Sequence, residues 1–283
     1  MPQQHRVHPG SQRVRQPLHA RALTVHSRRR LSATLVELRL RGDFEAQPLT
    51  SVTGAAAEHV KLIVPDAKTG VLTLPRIVDG RLAPPVDGAA WSSRDYTVRA
   101  FTPASADSPA ELVLWGVEHP HGPVGAWVAG AAVGDTVGVI GPRGSELFPT
   151  DYPHYLVGAD ETALPALTRW IEEAPHCAHL TVFAEVAHAG ARIELPHRDN
   201  ATVTWLYRDA GESLATAIGE LPTNLGNTFV WVAGEAGALI PLRRHLLRER
   251  GLDRNQIDIS GYWKRGVADL DHHLPLDAED PEN

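Results

Sequence analysis

Cysteine is almost absent from this chain, because Cys177 is the single thiol among its 283 residues. One cysteine cannot form an internal disulfide, which favours a reducing compartment, and we expect the protein to be cytoplasmic. The sequence also lacks an apolar run of about 18 residues, the length that a membrane helix needs. Its N-terminal segment lacks the hydrophobic block of a secretory signal. These absences argue against a disulfide-stapled secreted scaffold and against a membrane span.

Several common catalytic and ligand-binding signatures are missing as well. The sequence contains no Gly-x-Ser-x-Gly nucleophile elbow, no phosphate-binding loop and no G-x-G-x-x-G dinucleotide fingerprint. His176 and His179 flank Cys177 without a second ligand pair at zinc spacing. His272-His273 stands in a polar terminus, where histidines are usually solvated. We therefore expect no metal site.

Charge is unevenly distributed along a chain of formal net charge -7. Residues 1–30 contain seven arginines and no acidic residue, whereas the residues after Arg265 include acidic but no basic side chains. Pro2, Pro9, Gly10 and Pro17 interrupt the basic segment, which favours a disordered basic extension over residues 1–17 rather than a nucleic-acid-binding arm. We expect no nucleic-acid partner, and we predict an acidic flexible tail over residues 269–283.

The pattern of predicted secondary structure in the remaining chain changes near residue 150. Short β-rich stretches with turn residues between them occupy residues 18–150, which predicts a small antiparallel barrel. Strands and helices alternate over residues 151–268, a pattern typical of a parallel sheet covered on both faces. The predicted fold class is β + α/β: an N-terminal antiparallel Greek-key β-barrel followed by a Rossmann-like parallel-sheet α/β domain.

One stretch of the predicted barrel, residues 94–99, concentrates groups suited to ligand binding. On a strand Arg94, Tyr96 and Val98 share one face, while Thr97 and Arg99 point to the other. Tyr96 can stack on a planar, electron-poor ring, and the Arg94 guanidinium can meet a diphosphate in bidentate geometry. Flavin adenine dinucleotide (FAD) has both parts. The alternative is an ordinary barrel strand with solvated arginines and a core tyrosine.

Two further places could contribute to such a site. Gly122-Pro123 predicts the start of a short helix whose first amides could hold part of a diphosphate, although a purely structural cap is the alternative. In the predicted sheet, the turns at residues 158–163 and 233–237 lie where parallel α/β sheets bind ligands. Asp160 in the first turn is either a ligand-site residue or a helix cap.

Seven short motifs occur in an order that resembles the siderophore-interacting protein family, the FAD-dependent ferric-siderophore reductases within the ferredoxin reductase-like superfamily. The resemblance covers about residues 18–268. The motifs are His59-Val60-Lys61-Leu62, Arg94-Asp95-Tyr96-Thr97-Val98-Arg99, Gly122-Pro123 with Trp127, Gly141-Pro142-Arg143-Gly144-Ser145, Asp160-Glu161-Thr162-Ala163-Leu164-Pro165-Ala166, Ala233-Gly234-Glu235-Ala236 and Gly261-Tyr262-Trp263-Lys264-Arg265-Gly266.

The resemblance implies where FAD would bind. Tyr96 would lie against the isoalloxazine, Thr97 would hydrogen-bond its N5 edge, and Arg94 would hold the diphosphate. Trp115 stands where the family often has histidine, and His119 or His121 in the following loop could take that histidine's place. The predicted FAD-binding residues are Arg94, Tyr96, Thr97, Val98, Arg99, Trp115, Gly122, Pro123, Val124, Trp127, Asp160, Thr162, Ala163 and Trp263.

The resemblance also implies an activity, in which reduced flavin passes single electrons to an iron(III)–siderophore and iron(II) is released in the cytoplasm. NADPH, NADH or a ferredoxin would supply the electrons, and no catalytic acid, base or nucleophile is required. An anionic chelate needs a local basic patch, because salt screens charges beyond about 8 to 10 Å. The predicted substrate contacts are Lys61, Arg143 and Lys264, with Arg265 as a substitute; the alternative is surface charges paired with carboxylates.

Two other functions remain open from the sequence. A generic flavin-dependent NAD(P)H oxidoreductase would pass its electrons to a different acceptor. A non-catalytic module would bind FAD or siderophore without turnover. We expect a monomer in each case.

Overall fold

The computed structural model describes residues 12–86, 88, 91–119, 122–221, 224–267 and 275–280. The chain divides into two compact units. Arg13–Leu147 forms one unit, and the residues from Phe148 onward form the main part of the other. Within these described ranges, no helix is both long enough and apolar enough to cross a membrane.

The first unit is a β-barrel with short additions. Six of its strands close into an antiparallel barrel in the order second, third, eighth, seventh, fourth, ninth, while the fifth pairs with the sixth and the first with the tenth. Its elements are β1 (Gln12–Arg15), β2 (Ala20–Arg30), β3 (Leu35–Arg41), β4 (His59–Ile63), β5 (Arg76–Val78), β6 (Arg81–Ala83), β7 (Ser93–Thr102), β8 (Glu111–Val117), α1 (Pro123–Gly130), β9 (Thr136–Ile140) and β10 (Gly144–Leu147).

Alternating side chains build the barrel core. Along β2, Leu23 and Val25 are fully buried, while Thr24 between them is exposed, as the period of two in a strand requires. Helix α1 packs onto this core through Val124 and Val128, which belong to the same buried cluster. The helix therefore lies against the barrel, and the position of its first turn is set by these two contacts.

The second unit is a five-stranded sheet in which all pairings are parallel. Because the strands are parallel, their carboxyl ends lie along one edge of the sheet, which is the edge that binds ligands in such folds. In spatial order the strands are β13 (Ala201–Tyr207), β12 (His179–Val186), β11 (His154–Ala159), β14 (Thr228–Glu235) and β15 (Ile257–Trp263), and the helices are α2 (Leu164–Glu173), α3 (Leu214–Gly219) and α4 (Ala236–Arg248).

The central strands of this sheet consist almost entirely of apolar residues, because both faces of the sheet are covered. Every residue of β14 except Glu235 is buried. On one face Trp170 of α2 stacks on Phe148, with ring centroids 4.1 Å apart, and contacts Trp231 at 5.9 Å. The predicted fold class, a barrel followed by a parallel-sheet α/β unit, is confirmed.

The structure corrects the prediction for the N-terminal segment. Residues 1–17 were expected to be disordered, but Gln12–Arg15 forms β1 and pairs with β10. The backbone amide of Gln16 continues this pairing by donating to the carbonyl of Arg143 at 3.2 Å. Residues 1–11 lie outside the described residues.

The C-terminal segment also differs from the prediction of a flexible acidic tail. Residues 275–280 pack against α4, where the buried Asp277 carboxylate accepts from Arg244 at 2.7 Å. Asp280 accepts from Arg243 at 3.3 Å and from Arg254 at 3.0 Å. The prediction is therefore wrong for residues 275–280, while His272-His273 falls outside the described part of the chain.

Candidate functional site

Strand β7 carries the residues that were predicted to hold FAD. In the β4–β7 pairing Arg94 lies opposite Leu62 and Tyr96 lies opposite Val60. Directly opposed residues point to the same side of a sheet, and Leu62 and Val60 are buried in the barrel core. Arg94 and Tyr96 therefore share the core-side face of β7, and the intervening alternation places Thr97 on the other face. One ligand can meet Arg94 and Tyr96 together.

The Tyr96 ring rests over a glycine of the neighbouring strand. A Cβ atom on Gly116 of β8 would lie 3.2 Å from Tyr96 Cε1 and 2.6 Å from Val128 Cγ1. The missing side chain thus lets the Tyr96 ring and helix α1 approach the same point of the barrel. Burial raises the pKa of the Tyr96 phenol, an effect that the positive charge of Arg94 opposes. The phenol is therefore neutral at physiological pH, and the residue as a whole is partly buried.

Helix α1 begins with the geometry of an anion-binding turn. Gly122 has a φ of 73°, in the left-handed region, and Pro123 occupies the first turn. No described side chain caps this helix start, and a Cβ on Gly122 would meet no described atom within 4 Å. No described atom therefore fills the position beside Gly122, and the first amides of α1 have no partner within the helix and can donate to a phosphate oxygen.

His119 lies beside the same turn. A Cβ on Gly125 would fall 2.7 Å from His119 Nε2, so the imidazole covers this glycine. The histidine considered from the sequence as a replacement near the dinucleotide is thus close to the start of α1, whereas His121 lies outside the described residues. A cation, a tyrosine ring and helix-start amides occur in one unit, and this donor set fits the diphosphate and ring system of FAD.

Arg99 and Trp115 occupy the wall of the barrel. The Arg99 guanidinium carbon lies 5.1 Å from the centre of the Trp115 ring, a cation–π distance. The indole Nε1 donates to Glu37 on β3 at 3.1 Å. A register shift between Val98 and Ala100 interrupts the β7–β8 ladder at Arg99. Arg99 and Trp115 therefore have partners within the barrel wall. Their contact with FAD stays a prediction.

Three apolar members of the predicted FAD set, Val98, Val124 and Ala163, have buried side chains. Val98 is completely buried in the barrel core, and its amide donates to the Glu58 carbonyl at 2.8 Å. Ala163 is also completely buried, and its amide donates to the Asp160 carbonyl at 3.0 Å. These side chains pack in the core, and a contact of their backbone with FAD stays a prediction. They were included because they neighbour motif residues, and adjacency in sequence does not report burial.

The two predicted substrate contacts in the barrel unit lie close together. Lys61 pairs in register with Ile140, directly before the turn that carries Arg143. Lys61 Nζ lies 3.0 Å from both carboxylate oxygens of Asp95, so much of its charge is compensated locally. Arg143 is exposed. The alternative of a surface charge paired with a carboxylate therefore applies to Lys61.

In the second unit Asp160 joins two of the predicted residues. Its side chain accepts from the backbone amide of Thr162 at 2.9 Å and from the Thr162 hydroxyl at 2.6 Å, as a helix cap does. The other oxygen accepts from the indole Nε1 of Trp263 at 2.6 Å, which ties β15 to the end of β11. Burial raises the pKa of Asp160 to about 6. A Cβ on Gly234 would lie 2.8 Å from Asp160 Oδ2, so this glycine makes room for the carboxylate.

Lys264 and Arg265 directly follow Trp263 at the carboxyl edge of the sheet, and both side chains are exposed. The Arg265 amide donates to Glu235 Oε1 at 3.0 Å, and Glu235 also accepts from the Ala238 amide at 2.7 Å. Glu235 thereby fixes the turn after β15 to the start of α4. The two predicted substrate contacts of this unit therefore have a defined backbone and solvent-facing side chains.

The same edge carries an ion-pair cluster that the sequence did not predict. Arg208, after β13, pairs with Glu161 at 2.7 Å and with Glu185, at the end of β12, at 3.2 Å. Glu161 also accepts from the Ala187 amide at 2.5 Å. The signal available in the sequence was charged residues at or just after the ends of these three strands, which parallel strands bring to one edge.

The described residues contain no group of three His, Cys, Asp or Glu side chains that could hold a metal ion. Cys177 is exposed. His154 and His179 are neighbours across β11 and β12, with ring centroids 6.5 Å apart.

Both halves of the chain match family models. Residues 24–146 match the siderophore-interacting FAD-binding domain, and residues 152–266 match the siderophore-interacting protein model. Among solved structures, a siderophore utilization protein from T. fusca is 41% identical, with a TM-score of 0.82, over 93% of this chain and 99% of that one.

Curated relatives are named for ferric-chelate reduction. Ferric vibriobactin reductase of Vibrio cholerae is 31% identical, covering 76% of this chain and 79% of its own length. The NADPH-dependent ferric-chelate reductase of Escherichia coli is 28% identical, covering 89% of this chain and 96% of its own. These names agree with the predicted enzyme class, an oxidoreductase. With matches to both family models and coverage of nearly the whole chain, the protein belongs to the siderophore-interacting protein family.

Proposed function

We propose that this chain is an FAD-dependent ferric-siderophore reductase. The observation that carries the proposal is the convergence at Gly116, where the Tyr96 ring and helix α1 approach one point of the barrel, with Arg94 on the same face of β7 as Tyr96. The match to a siderophore-interacting FAD-binding domain supports FAD as the cofactor. The names of the reductases of Vibrio cholerae and Escherichia coli support the substrate class.

When bound, FAD supplies the redox chemistry, since a flavin accepts a hydride and can release electrons one at a time. The chain binds and orients it. In this proposal Arg94 and the first amides of α1 neutralise the diphosphate, Tyr96 presents a neutral ring to the flavin ring system, and Thr97 offers its hydroxyl. Tyr96 adds no charge beside the cofactor, because a phenol is neutral at physiological pH and burial raises its pKa further.

The substrate is an iron(III) chelate with hard, anionic oxygen donors. Adding one electron gives iron(II), for which such donors have much lower affinity, so electron transfer is enough to loosen the metal. The protein contributes recognition of the negative charge. We propose Arg143 and Lys264 as contacts, with Arg265 as the substitute for Lys264. Lys61 attracts the anionic chelate less strongly than an unpaired lysine would, because the Asp95 carboxylate lies 3.0 Å from its ammonium group.

We further propose NADPH or NADH as the electron donor, bound at the carboxyl edge of the parallel sheet. The name of the Escherichia coli relative supports NADPH. Arg208 is a cation on this edge, although Glu161 and Glu185 already pair with it. Reduced ferredoxin is the alternative donor, and a direct comparison of the rates of flavin reduction by the three donors distinguishes them.

An anaerobic spectroscopic titration tests the proposed function. The purified chain is reconstituted with FAD, reduced with light, and mixed with a ferric siderophore in the presence of an iron(II)-specific chelator. We expect the oxidised flavin spectrum to return as the iron(II) complex forms. Tyr96→Ala is expected to lower FAD affinity at least tenfold, about 1.4 kcal/mol, because it removes the stacking surface, while Tyr207→Ala in the other unit serves as the control.

The outcomes separate the alternatives. If FAD does not bind after reconstitution, the proposal fails. A siderophore that binds without reoxidising the flavin indicates a non-catalytic module. If the Arg143→Ala and Lys264→Ala variants reduce ferric chelates at the wild-type rate, the generic oxidoreductase is favoured.

A further inference from the structure

Strand β1 brings two arginines of the basic N-terminal segment onto the barrel. It pairs with β10, and the amide of Gln16 donates to the carbonyl of Arg143 at 3.2 Å. Because side chains alternate along a strand, Arg13 and Arg15 share one face of β1 and Val14 lies on the other. The pairing therefore presents two guanidinium groups next to the turn that carries Arg143.

The three arginines are close enough to influence one another. A Cβ on Gly144 would lie 3.0 Å from Arg13 Nε and 3.4 Å from its Nη2, so the Arg13 guanidinium lies against the residue that follows Arg143. Burial lowers the pKa of Arg13, Glu146 opposes that change, and the charges of Arg15 and Arg143 lower the pKa further. Glu146 already compensates part of the charge of Arg13, and an anionic ligand would relieve the repulsion from Arg15 and Arg143 that remains.

Hydrogen bonds fix the backbone that carries these arginines. The Gln16 side chain donates to Ser145 Oγ at 2.9 Å and to Glu58 Oε1 at 3.2 Å, and Ser145 and Glu58 also bond each other. Ser145 is completely buried and Glu58 is 3% exposed. On the other side of the turn, the buried Arg21 donates through Nη1 to the Gly141 carbonyl at 2.6 Å. Both sides of the Arg143 turn are thus held by hydrogen bonds, and the segment that follows β1 provides those on one side.

We propose that Arg13 and Arg15 extend Arg143 into a three-arginine anion site that selects trianionic ferric chelates over uncharged ones. This inference rests on the proposed function. Its physical basis is that guanidinium groups pair with anionic oxygens in bidentate geometry, and that a turn with a fixed backbone loses little backbone entropy on binding. Asp95 compensates Lys61, so positive charge beside the Arg143 turn comes mainly from Arg15 and from the part of the Arg13 charge that Glu146 leaves uncompensated. The basic segment thus has a role in choosing the substrate.

The test compares two chelates and two charge-removing variants of the full-length, FAD-loaded protein. The probes are ferric enterobactin, which is trianionic, and ferrichrome, which is uncharged, and quenching of tryptophan fluorescence reports binding. Arg13→Gln with Arg15→Gln is expected to raise the Kd for ferric enterobactin about fivefold and to leave the Kd for ferrichrome unchanged. The matched control is Arg81→Gln, which removes one exposed charge from the separate β5–β6 hairpin.

A charge-conserving variant separates electrostatics from folding. Arg13→Lys with Arg15→Lys is expected to keep most of the affinity for ferric enterobactin. The inference is overturned if the glutamine variant binds ferric enterobactin as the Arg81→Gln control does, or loses affinity for both chelates equally. Binding of a DNA duplex that is tighter than chelate binding and lost in the glutamine variant would also overturn it. If the wild-type protein binds neither chelate, the proposed function fails as well.

Discussion

At the scale of single residues, Gly116 is the position on which the candidate flavin site depends most directly. An added Cβ would lie 2.6 Å from Val128 Cγ1 and 3.2 Å from Tyr96 Cε1. Gly116→Ala must therefore displace either helix α1 or the Tyr96 ring. We expect a loss of about 1–3 kcal/mol in the free energy of unfolding, as for other overpacked cores, together with weaker FAD binding.

The matched control for this substitution is Gly130→Ala, at the end of the same helix. A Cβ there would meet no described atom within 4 Å, so stability and FAD affinity should remain close to those of the wild type. Thermal melts and FAD titrations of both variants provide the measurement. Wild-type values for Gly116→Ala would show that the ring and helix do not approach as described.

Asp160 predicts a specific dependence of stability on pH. Burial raises its pKa to about 6, above the ordinary value of 3.8, so between these values the folded state binds more protons than the unfolded state. Stability contributed by the protonated carboxyl is therefore present below pH 3.8 and is lost as the pH rises through about 6. The expected loss is about 3 kcal/mol, from a shift of about two pKa units.

Denaturant unfolding of the wild type, Asp160→Asn and Trp263→Phe between about pH 4 and 8 checks this. The carboxamide of Asp160→Asn cannot titrate, so the free energy of unfolding of this variant should not show the decrease with pH that we expect for the wild type. Trp263→Phe removes the indole donor that favours the ionised carboxylate, so its transition should move to higher pH. An identical slope in the wild type and Asp160→Asn would contradict the assignment.

At the scale of elements, local pattern predicts the strands that carry the site but not the segments that dock from far away. The alternation in residues 94–99 correctly places Arg94 and Tyr96 on one face of β7, because alternation is a property of the strand itself. The C-terminal segment was predicted to be flexible because its own composition is acidic and polar. Its partners Arg243 and Arg244 lie more than thirty residues earlier, and no local signal reports that contact.

This docked segment provides a second prediction about stability. Arg244 lowers the pKa of Asp277 to about 2, so the carboxylate stabilises the fold above its ordinary pKa and this contribution is lost as the pH falls towards about 2. Asp277→Asn should therefore lower the Tm at neutral pH, and the difference from the wild type should shrink in acid.

Glu279→Gln is the control, because Glu279 accepts from the same Arg244 at 2.8 Å but is an exposed side chain. Its Tm should change little, as is usual for exposed ion pairs. Equal changes in the Tm of the two variants would mean that residues 275–280 are not held through Asp277.

At the scale of the whole molecule, the sequence predicts both folds because each has its own period of buried residues. It does not predict which motif side chains are buried, because burial depends on tertiary packing, and Val98 and Ala163 are both fully buried. The role of the basic segment was also missed. Pro2, Pro9, Gly10 and Pro17 in a basic segment indicate disorder by composition, yet pairing between β1 and β10 depends on a strand more than one hundred residues away.

The formal net charge of -7 allows a test of whether local or global electrostatics governs substrate binding. If the global charge dominated, it would repel a trianionic chelate, and added salt would screen this repulsion and lower the Kd. If the nearby arginines dominate, salt screens an attraction and the Kd rises.

At physiological ionic strength the Debye length is about 8 Å, so groups in direct contact with the ligand outweigh distant carboxylates. We therefore expect the Kd for ferric enterobactin to increase steadily between about 20 and 500 mM NaCl, while that for ferrichrome changes little. A Kd for ferric enterobactin that falls with salt would mean that repulsion from the acidic chain prevails, and that the arginines of β1 and Arg143 do not contact the chelate.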